Sequence, residues 1–243
     1  PETLWEGQTM DFDFTPYFEK YEKLVAASNA AFDRVKQAHA ECVQCKEGCA
    51  DCCHAIFDLT LIEALYINHR FKEKFQGAAK AEMDEKANRS DRQMVKIKRK
   101  AHQDLLDGKT EEEVLTDLAR ARVRCPLLNT QDLCDLYDHR PLTCRFYGIP
   151  TAIGGKGHTC GQSGFKQGEK YPTVNLDAVH ARLQEISAEL VRDLRSRFIK
   201  LADILVPLST ALVTDYDEIY FGLKDDVPPE EPPPKPRRSR RHP

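Results

Sequence analysis

The run Cys42-x2-Cys45-x3-Cys49-x2-Cys52-Cys53 places five thiols within twelve residues, and Cys125, Cys134, Cys144 and Cys160 add four more downstream. Soft, deprotonated sulfurs converging from a loop bind metal, and close spacing lets them do so with little closure entropy. One Cys-x2-Cys pair is a weak signal, whereas five cysteines at this density are a strong one. A single zinc takes no more than four thiolates, so the rest must serve another atom or another cluster. Disulfides explain the pattern poorly. The count is odd, and a bridge between adjacent Cys52 and Cys53 would strain the peptide joining them. Cys125 is followed by Pro126, an arrangement that recurs beside iron–sulfur clusters. Lys46, Arg124, Arg140 and Arg145 stand next to the thiols, where cations offset the negative charge of a thiolate centre and donate to its sulfurs.

Each neighbouring group has a simpler role to set beside a chemical one. Cys42 ends a helical stretch and reads equally well as a small buried apolar residue. His54 and His158 flank cysteines and are more readily neighbours than ligands, and His139 reads as exposed. Arg140-Pro141 turns the chain back toward Cys144. Tyr137 and Tyr147 would pack over a centre and exclude water. Glu63 is explained by a helix cap, and the run Lys96-Ile97-Lys98-Arg99-Lys100 by a solvated helix face. Arg237-Arg238-Ser239-Arg240-Arg241 offers weak contact with an acidic protein or nucleic acid through charge alone.

These residues must be positioned by helices. Thr15-Pro16 caps and opens the first, with Phe18, Tyr21, Leu24, Val25, Phe32 and Val35 on one face. Thr60-Leu61-Ile62-Glu63 fits a capping box ahead of an apolar stripe through Phe71 and Phe75. Residues 78–106 read as a long polar helix whose narrow seam (Met83, Ala87, Met94, Ile97, Ala101, Leu105) suits packing on the first helix. Thr110-Glu111-Glu112-Glu113 is a second capping box. Segment 125–172 is glycine-rich and reads as turns. Asn175 caps a helix expected to run to about Leu205, where Pro207 stops it, and residues 208–223 add a short packed segment. The fold expected is mainly α, with little or no sheet: a helical domain over 15–226 around an irregular cysteine-rich knot. An irregular arm, 1–14, precedes it, and the Pro/Arg-rich segment 227–243 reads as a disordered tail.

The chain has 243 residues, 41% of them apolar and 31% charged, with a formal net charge of -3. That balance gives no global attraction to nucleic acid or acidic membranes. No stretch reaches the roughly 20 apolar residues of a membrane span. Pro1-Glu2-Thr3-Leu4-Trp5-Glu6 has no apolar signal-peptide core, and a small first residue is what removal of an initiator methionine leaves. A cytoplasmic protein with an intact start is the expectation, and in that reducing compartment dense cysteine points to metal.

The residues resemble the YkgJ-type cysteine-cluster family of zinc- or iron-chelating domains. The likeness lies in Cys45-x3-Cys49-x2-Cys52-Cys53, acidic Glu63, Cys125-Pro126-Leu127-Leu128, and Cys134-Asp135-Leu136-Tyr137-Asp138-His139-Arg140-Pro141-Leu142-Thr143-Cys144-Arg145-Phe146-Tyr147, with Cys160 as the last cysteine. This chain differs in one extra residue between Cys45 and Cys49, in the additional thiol Cys42, and in a long connection over 54–124. The resemblance implies metal chelation by Cys45, Cys49, Cys52, Cys53, Cys125, Cys134, Cys144 and Cys160, with an iron–sulfur cluster or zinc as the centre. A similar pattern in flagellin lysine methylase, which is associated with an iron–sulfur cluster and S-adenosylmethionine, implies an alternative: cluster-dependent modification of a protein or small molecule. No separate methyl-donor motif is visible.

Overall fold

The computed structural model describes Met10 and residues 12–223. Helix accounts for 56% and strand for 8%, so the fold is mainly α, as the spacing predicts. Helix α1 (Thr15–Ala38) starts one residue earlier than the sequence suggests: Phe14 is its N-cap, with no side-chain cap, while Asp13 Oδ1 accepts from the Thr15 amide at 2.9 Å. Met10, Phe12 and Phe14 pack onto the core, so the described end of the expected arm is irregular but anchored. The expected tail, with its basic run, lies outside the described residues.

Strand β1 (Asp58–Thr60) leads into α2 (Leu61–Lys74), the most buried helix. Leu61, Ile62, Ala64, Leu65, Ile67 and Phe71 are sealed between α1 and α6 (Leu176–Asp193). Asn68 is buried with them, its amide donating to the Ala211, Leu212 and Thr214 carbonyls at 2.9–3.1 Å. The box at Thr60 is incomplete: the Thr60 side chain caps no amide, and its hydroxyl donates to Glu63 Oε2 at 3.4 Å instead.

Helix α3 (Gly77–Leu106) buries Met83, Ala87, Ser90 and Met94. It packs on α4 (Glu111–Arg120) and α7 (Leu208–Val213), a correction to the expectation that it lies on the first helix. The capping box at Thr110 is complete, its hydroxyl accepting from the Glu113 amide at 3.2 Å while Glu113 accepts from the Thr110 amide at 2.9 Å. Lys98 pairs with Asp58 and Lys100 with Asp104, so that basic run is a solvated, ion-paired face.

Asn175 caps α6, accepting from the Ala178 amide at 3.2 Å, but the helix ends at Asp193 rather than near Leu205. The Ser196 amide bonds back to the Val191 carbonyl, and Arg195 sits at φ 54, which is a left-handed C-terminal cap. Such caps usually carry glycine; here arginine occupies the position, so the sequence gives no stop signal. The chain then makes a 3₁₀ turn (Ile199–Asp203) and strand β5 (Leu205–Pro207), which pairs antiparallel with β1, Leu59 opposite Val206.

Segment 125–172 is mostly turns. It contains α5 (Leu142–Phe146) and a hairpin of β2 (Thr151–Ile153) and β3 (Lys156–His158), joined through Gly154 and Gly155 at φ 55 and 75. Strand β4 (Val174–Asn175) pairs parallel to β2.

Candidate metal centre

The cysteine blocks, about seventy residues apart and separated in sequence by α2, α3 and α4, meet directly. Two main-chain hydrogen bonds join them: the Cys125 amide donates to the Cys53 carbonyl at 2.7 Å, and the Val123 amide to the His54 carbonyl at 3.1 Å. Cys52 and Cys53 lie on a 3₁₀ turn (Asp51–His54). Leu128 and Cys134 form a β-bridge and the Leu128 amide returns to the Cys125 carbonyl, setting Cys125 beside Cys134. Cys144 is carried by α5, whose first amide, Leu142, donates to the buried Glu63 carboxylate at 3.1 Å. Glu63 therefore fastens α5 to α2, a tertiary role that the cap reading did not contain.

At the other end, the Cys45 thiol lies 3.5 Å from the Tyr147 carbonyl. Gly148 makes this placement possible: it has φ +102, and a Cβ there would stand 2.2 Å from the Cys45 sulfur. The Gly164 amide donates to the Cys42 carbonyl at 2.8 Å, bringing the Cys160 turn against the first block. The Cys160 thiol lies 3.6 Å from Asp51 Oδ2, which also accepts from the Tyr147 hydroxyl at 3.1 Å; Arg122 faces the other carboxylate oxygen at 3.5 Å.

One cavity of about 650 Å³ is lined by Cys45, Cys49, Cys52, Cys53, Cys125, Cys134, Cys144 and Cys160, all the cysteines singled out in the sequence. Cys42 is not on its wall; it is buried in the core at 7% exposure, against Glu41. Neither His54, which bonds the Ala50 carbonyl, nor His158, exposed on β3, lines it. His139 is half-buried against Tyr66, 3.3 Å from its hydroxyl, not exposed as expected.

Arginine shapes the cavity wall from behind. Buried Arg145 donates to the Arg140 carbonyl and to Asn29 Oδ1, both at 3.0 Å, and to the Asp138 carbonyl, tying the 138–140 turn to α1. Arg140 stacks on the Tyr137 ring, 3.9 Å from its centroid, and donates to the Tyr137 carbonyl. Tyr137 is 60% exposed and lies at the rim of the cavity. Arg124 holds the Leu128 and Asn129 carbonyls.

Burial pushes most of these thiols up: Cys45 to about 11, Cys125 to about 12, Cys144 well above its ordinary value, and Cys134 and Cys160 in the same direction. Cys52 is the exception. Its neighbour Cys53 hydrogen-bonds to it, and with Arg140 nearby the Cys52 thiol falls to about 7 while Cys53 rises. The protein thus holds one sulfur ready to ionise among several that need a cation to do so.

The donor set suits a thiophilic metal: eight sulfurs, with lysine and arginine on the same wall (Lys36, Lys46, Arg140, Arg145). Among the described residues, no three histidine, cysteine, aspartate or glutamate side chains meet as a finished site for one ion. The sulfurs are spread over the walls. Sequence reasoning passed over Asp51, although it sits within the cysteine block, and the apolar wall of Ile56, Phe57, Met94 and Leu208, whose residues come from three separate segments.

Among the described residues no helix is long and apolar enough to cross a membrane. No curated protein and no solved structure matches the chain. Residues 44–161 match the family model CxxCxxCC, described as "Putative zinc- or iron-chelating domain", and the match begins and ends beside the first and last cysteines of the cavity. Over this segment, a little under half of the chain, the protein is similar to the CxxCxxCC cysteine-cluster family, and the match supports metal binding.

Proposed function

We propose that the cavity binds iron–sulfur, with Cys45, Cys49, Cys52, Cys53, Cys125, Cys134, Cys144 and Cys160 as its thiolate ligands. The observation that carries this reading is the distribution of those eight sulfurs around one cavity of about 650 Å³. Zinc needs four ligands within about 2.3 Å of a single point. Eight sulfurs dispersed around a wider space suit polynuclear centres, in which each metal takes its own thiolate. A bound cluster supplies one-electron transfer, or an iron with an open position. The protein's own groups neutralise its charge through Arg140 and Lys46 and anchor the walls through Arg145 and Glu63. Nine free thiols suit a reducing compartment, and the cytoplasm is the proposed location.

Anaerobic purification followed by iron, sulfide and zinc analysis tests the reading. A brown protein with iron and acid-labile sulfide is expected; a colourless protein with stoichiometric zinc overturns it in favour of a structural site.

A second reading is favoured by the apolar wall. Ile56, Phe57, Met94 and Leu208 give the cavity a face that a buried metal does not require, and its volume lies within the range of small-molecule sites. On this reading the protein is a modifying enzyme that takes S-adenosylmethionine beside its cluster. The expected sign is a spectral change on adding that compound to the reduced protein; an unaltered spectrum excludes the reading.

A further inference from the structure

Helix α3 carries its cations in two ways. Lys80 pairs with Asp84, Lys86 with Glu82, Lys98 with Asp58 and Lys100 with Asp104, all at 2.6–2.8 Å. Arg89, Arg92, Lys96 and Arg99 are exposed and have no ion-pair or hydrogen-bond partner among the described residues. Steps of three, four and three residues put these four on one side of the helix, within about 80° of arc, in a row about 15 Å long. Between residues 86 and 103 the one acidic side chain is Asp91, which lies on another side and accepts from the Thr210 hydroxyl at 2.8 Å. Glu82, the acid that Arg89 feels, is already held by Lys86. Glu85, exposed one turn before Arg89, marks where the row ends. The row is an uncompensated strip of positive charge on a chain whose formal net charge is -3. Like charges three and four residues apart destabilise a helix, a cost that the paired lysines of α3 avoid.

We propose that this row binds the phosphate backbone of a nucleic-acid duplex, by charge and without reading bases. The assignment is independent of what fills the cavity, which Ser90 and Met94 line from the opposite side of α3. One strand of a duplex advances about 3.4 Å per phosphate, so a row of about 15 Å meets about four of them. Three of the four cations are arginine, whose planar fork matches phosphate oxygens in pairs. Gln93 and Gln103, exposed beside the row, add uncharged donors of the kind that contact backbone oxygens. Helix α3 has no Phe, Tyr or Trp on which a base could stack, so the contact is independent of sequence. An acidic protein or a lipid surface fits less well. Protein interfaces centre on buried aromatic anchors, and a helix lying on a membrane buries a continuous apolar face. The apolar face of α3 is covered by α4 and α7, and Val95, 39% exposed, is the one large apolar side chain left open between residues 86 and 103.

The test is fluorescence anisotropy of a labelled duplex of mixed sequence, about 20 base pairs long, titrated with the full chain. Three variants each remove four positive charges: R89Q/R92Q/K96Q/R99Q in the row, K80Q/K86Q/K98Q/K100Q among the paired lysines, and R237Q/R238Q/R240Q/R241Q in the terminal basic run. Wild type should bind at about 50 mM salt and weaken about 100-fold by about 200 mM, as four phosphate contacts require. The row variant should lose more than about tenfold in affinity, while the paired-lysine and terminal variants still bind. R92Q alone should lower the slope of log affinity against log salt by about 0.9. Far-UV circular dichroism checks each fold, and if the row variant fails to fold, R92Q decides the comparison through its slope. Wild type that does not bind, a row variant that binds like wild type, a paired-lysine variant that weakens as much as the row variant, or a terminal variant that loses all binding overturns the assignment. So does wild type that binds polyglutamate or phosphatidylserine vesicles as tightly as the duplex, which would give the row to an acidic protein or a lipid surface.

Discussion

In α2, Leu61, Ile62, Ala64, Leu65 and Phe71 are at most 2% exposed, whereas every cysteine on the cavity wall keeps part of its surface open. The helical shell is stabilised by apolar burial, where any side chain of suitable size and polarity serves. The knot from Cys42 to Cys53 and from Val123 to Gly164 has fewer apolar residues to bury. It is held by named polar contacts: Arg145 to two carbonyls and Asn29, Asn129 Oδ1 to the Gln131 and Leu133 amides, and Asp51 to Tyr147. A shell of that kind tolerates drift in sequence. A knot of that kind does not, since each polar group left alone in a buried place costs about 1–3 kcal/mol.

Removing metal should separate the two regions most clearly. Chelation under reducing conditions is expected to lower the melting temperature and abolish hydrogen-exchange protection in the knot, while amides of α1, α2 and α6 stay protected. An unchanged melting temperature would mean that metal contributes nothing to the fold. Phe71→Ala attacks the shell instead. Loss of a fully buried ring should cost roughly 3–5 kcal/mol, or about 10 °C in melting temperature, with metal per folded molecule unaltered. If metal content falls with it, the regions are not separable.

Arg145→Ala works in the reverse direction. Stability should drop by roughly 3 kcal/mol as its acceptors lose their donor. Metal uptake should fall as well, and Arg145→Lys should not restore it, because an ammonium cannot span the three acceptors in a fork. Full rescue by lysine would reduce the arginine to a simple charge.

The smallest effect is expected at the joint between the regions. Burial raises the Glu63 carboxyl above its ordinary 4.5, partly offset by hydrogen bonds from the Leu142 and Thr60 amides. Between 4.5 and its folded value, Glu63 keeps its proton in the native protein and loses it on unfolding. Its contribution to stability is therefore fully present below 4.5 and declines as pH rises through that window. Glu63→Gln should flatten this part of the pH profile of urea midpoints and stay within about 1 kcal/mol of wild type at pH 7. A profile identical to wild type would show that Glu63 does not titrate there.

The same contrast explains what could be read from sequence. The faces of α1 and α2, the Thr110 box and the Asn175 cap are local signals with a fixed period, so they were legible. The stop of α6 was not, because Arg195 adopts a left-handed conformation that favours glycine. Nor was the partner of α3. Its seam is narrow, and which helix covers it depends on β1 pairing with β5, two three-residue strands too short to show alternation. The eight cysteines were legible by type and spacing. Their neighbours Asp51, Gly148 and Phe57 were not, since their importance comes from what approaches them in space.

The bonds from Cys125 to the Cys53 carbonyl and from Val123 to the His54 carbonyl have a consequence for timing. Closing a span of about seventy residues carries an entropic cost of about 4 kcal/mol, which two main-chain bonds offset only in part. The remainder falls to the ion, so some of its binding energy goes into closing the knot rather than appearing as affinity. Exchange of that ion should keep pace with brief openings of the knot, long before the surrounding helices come apart.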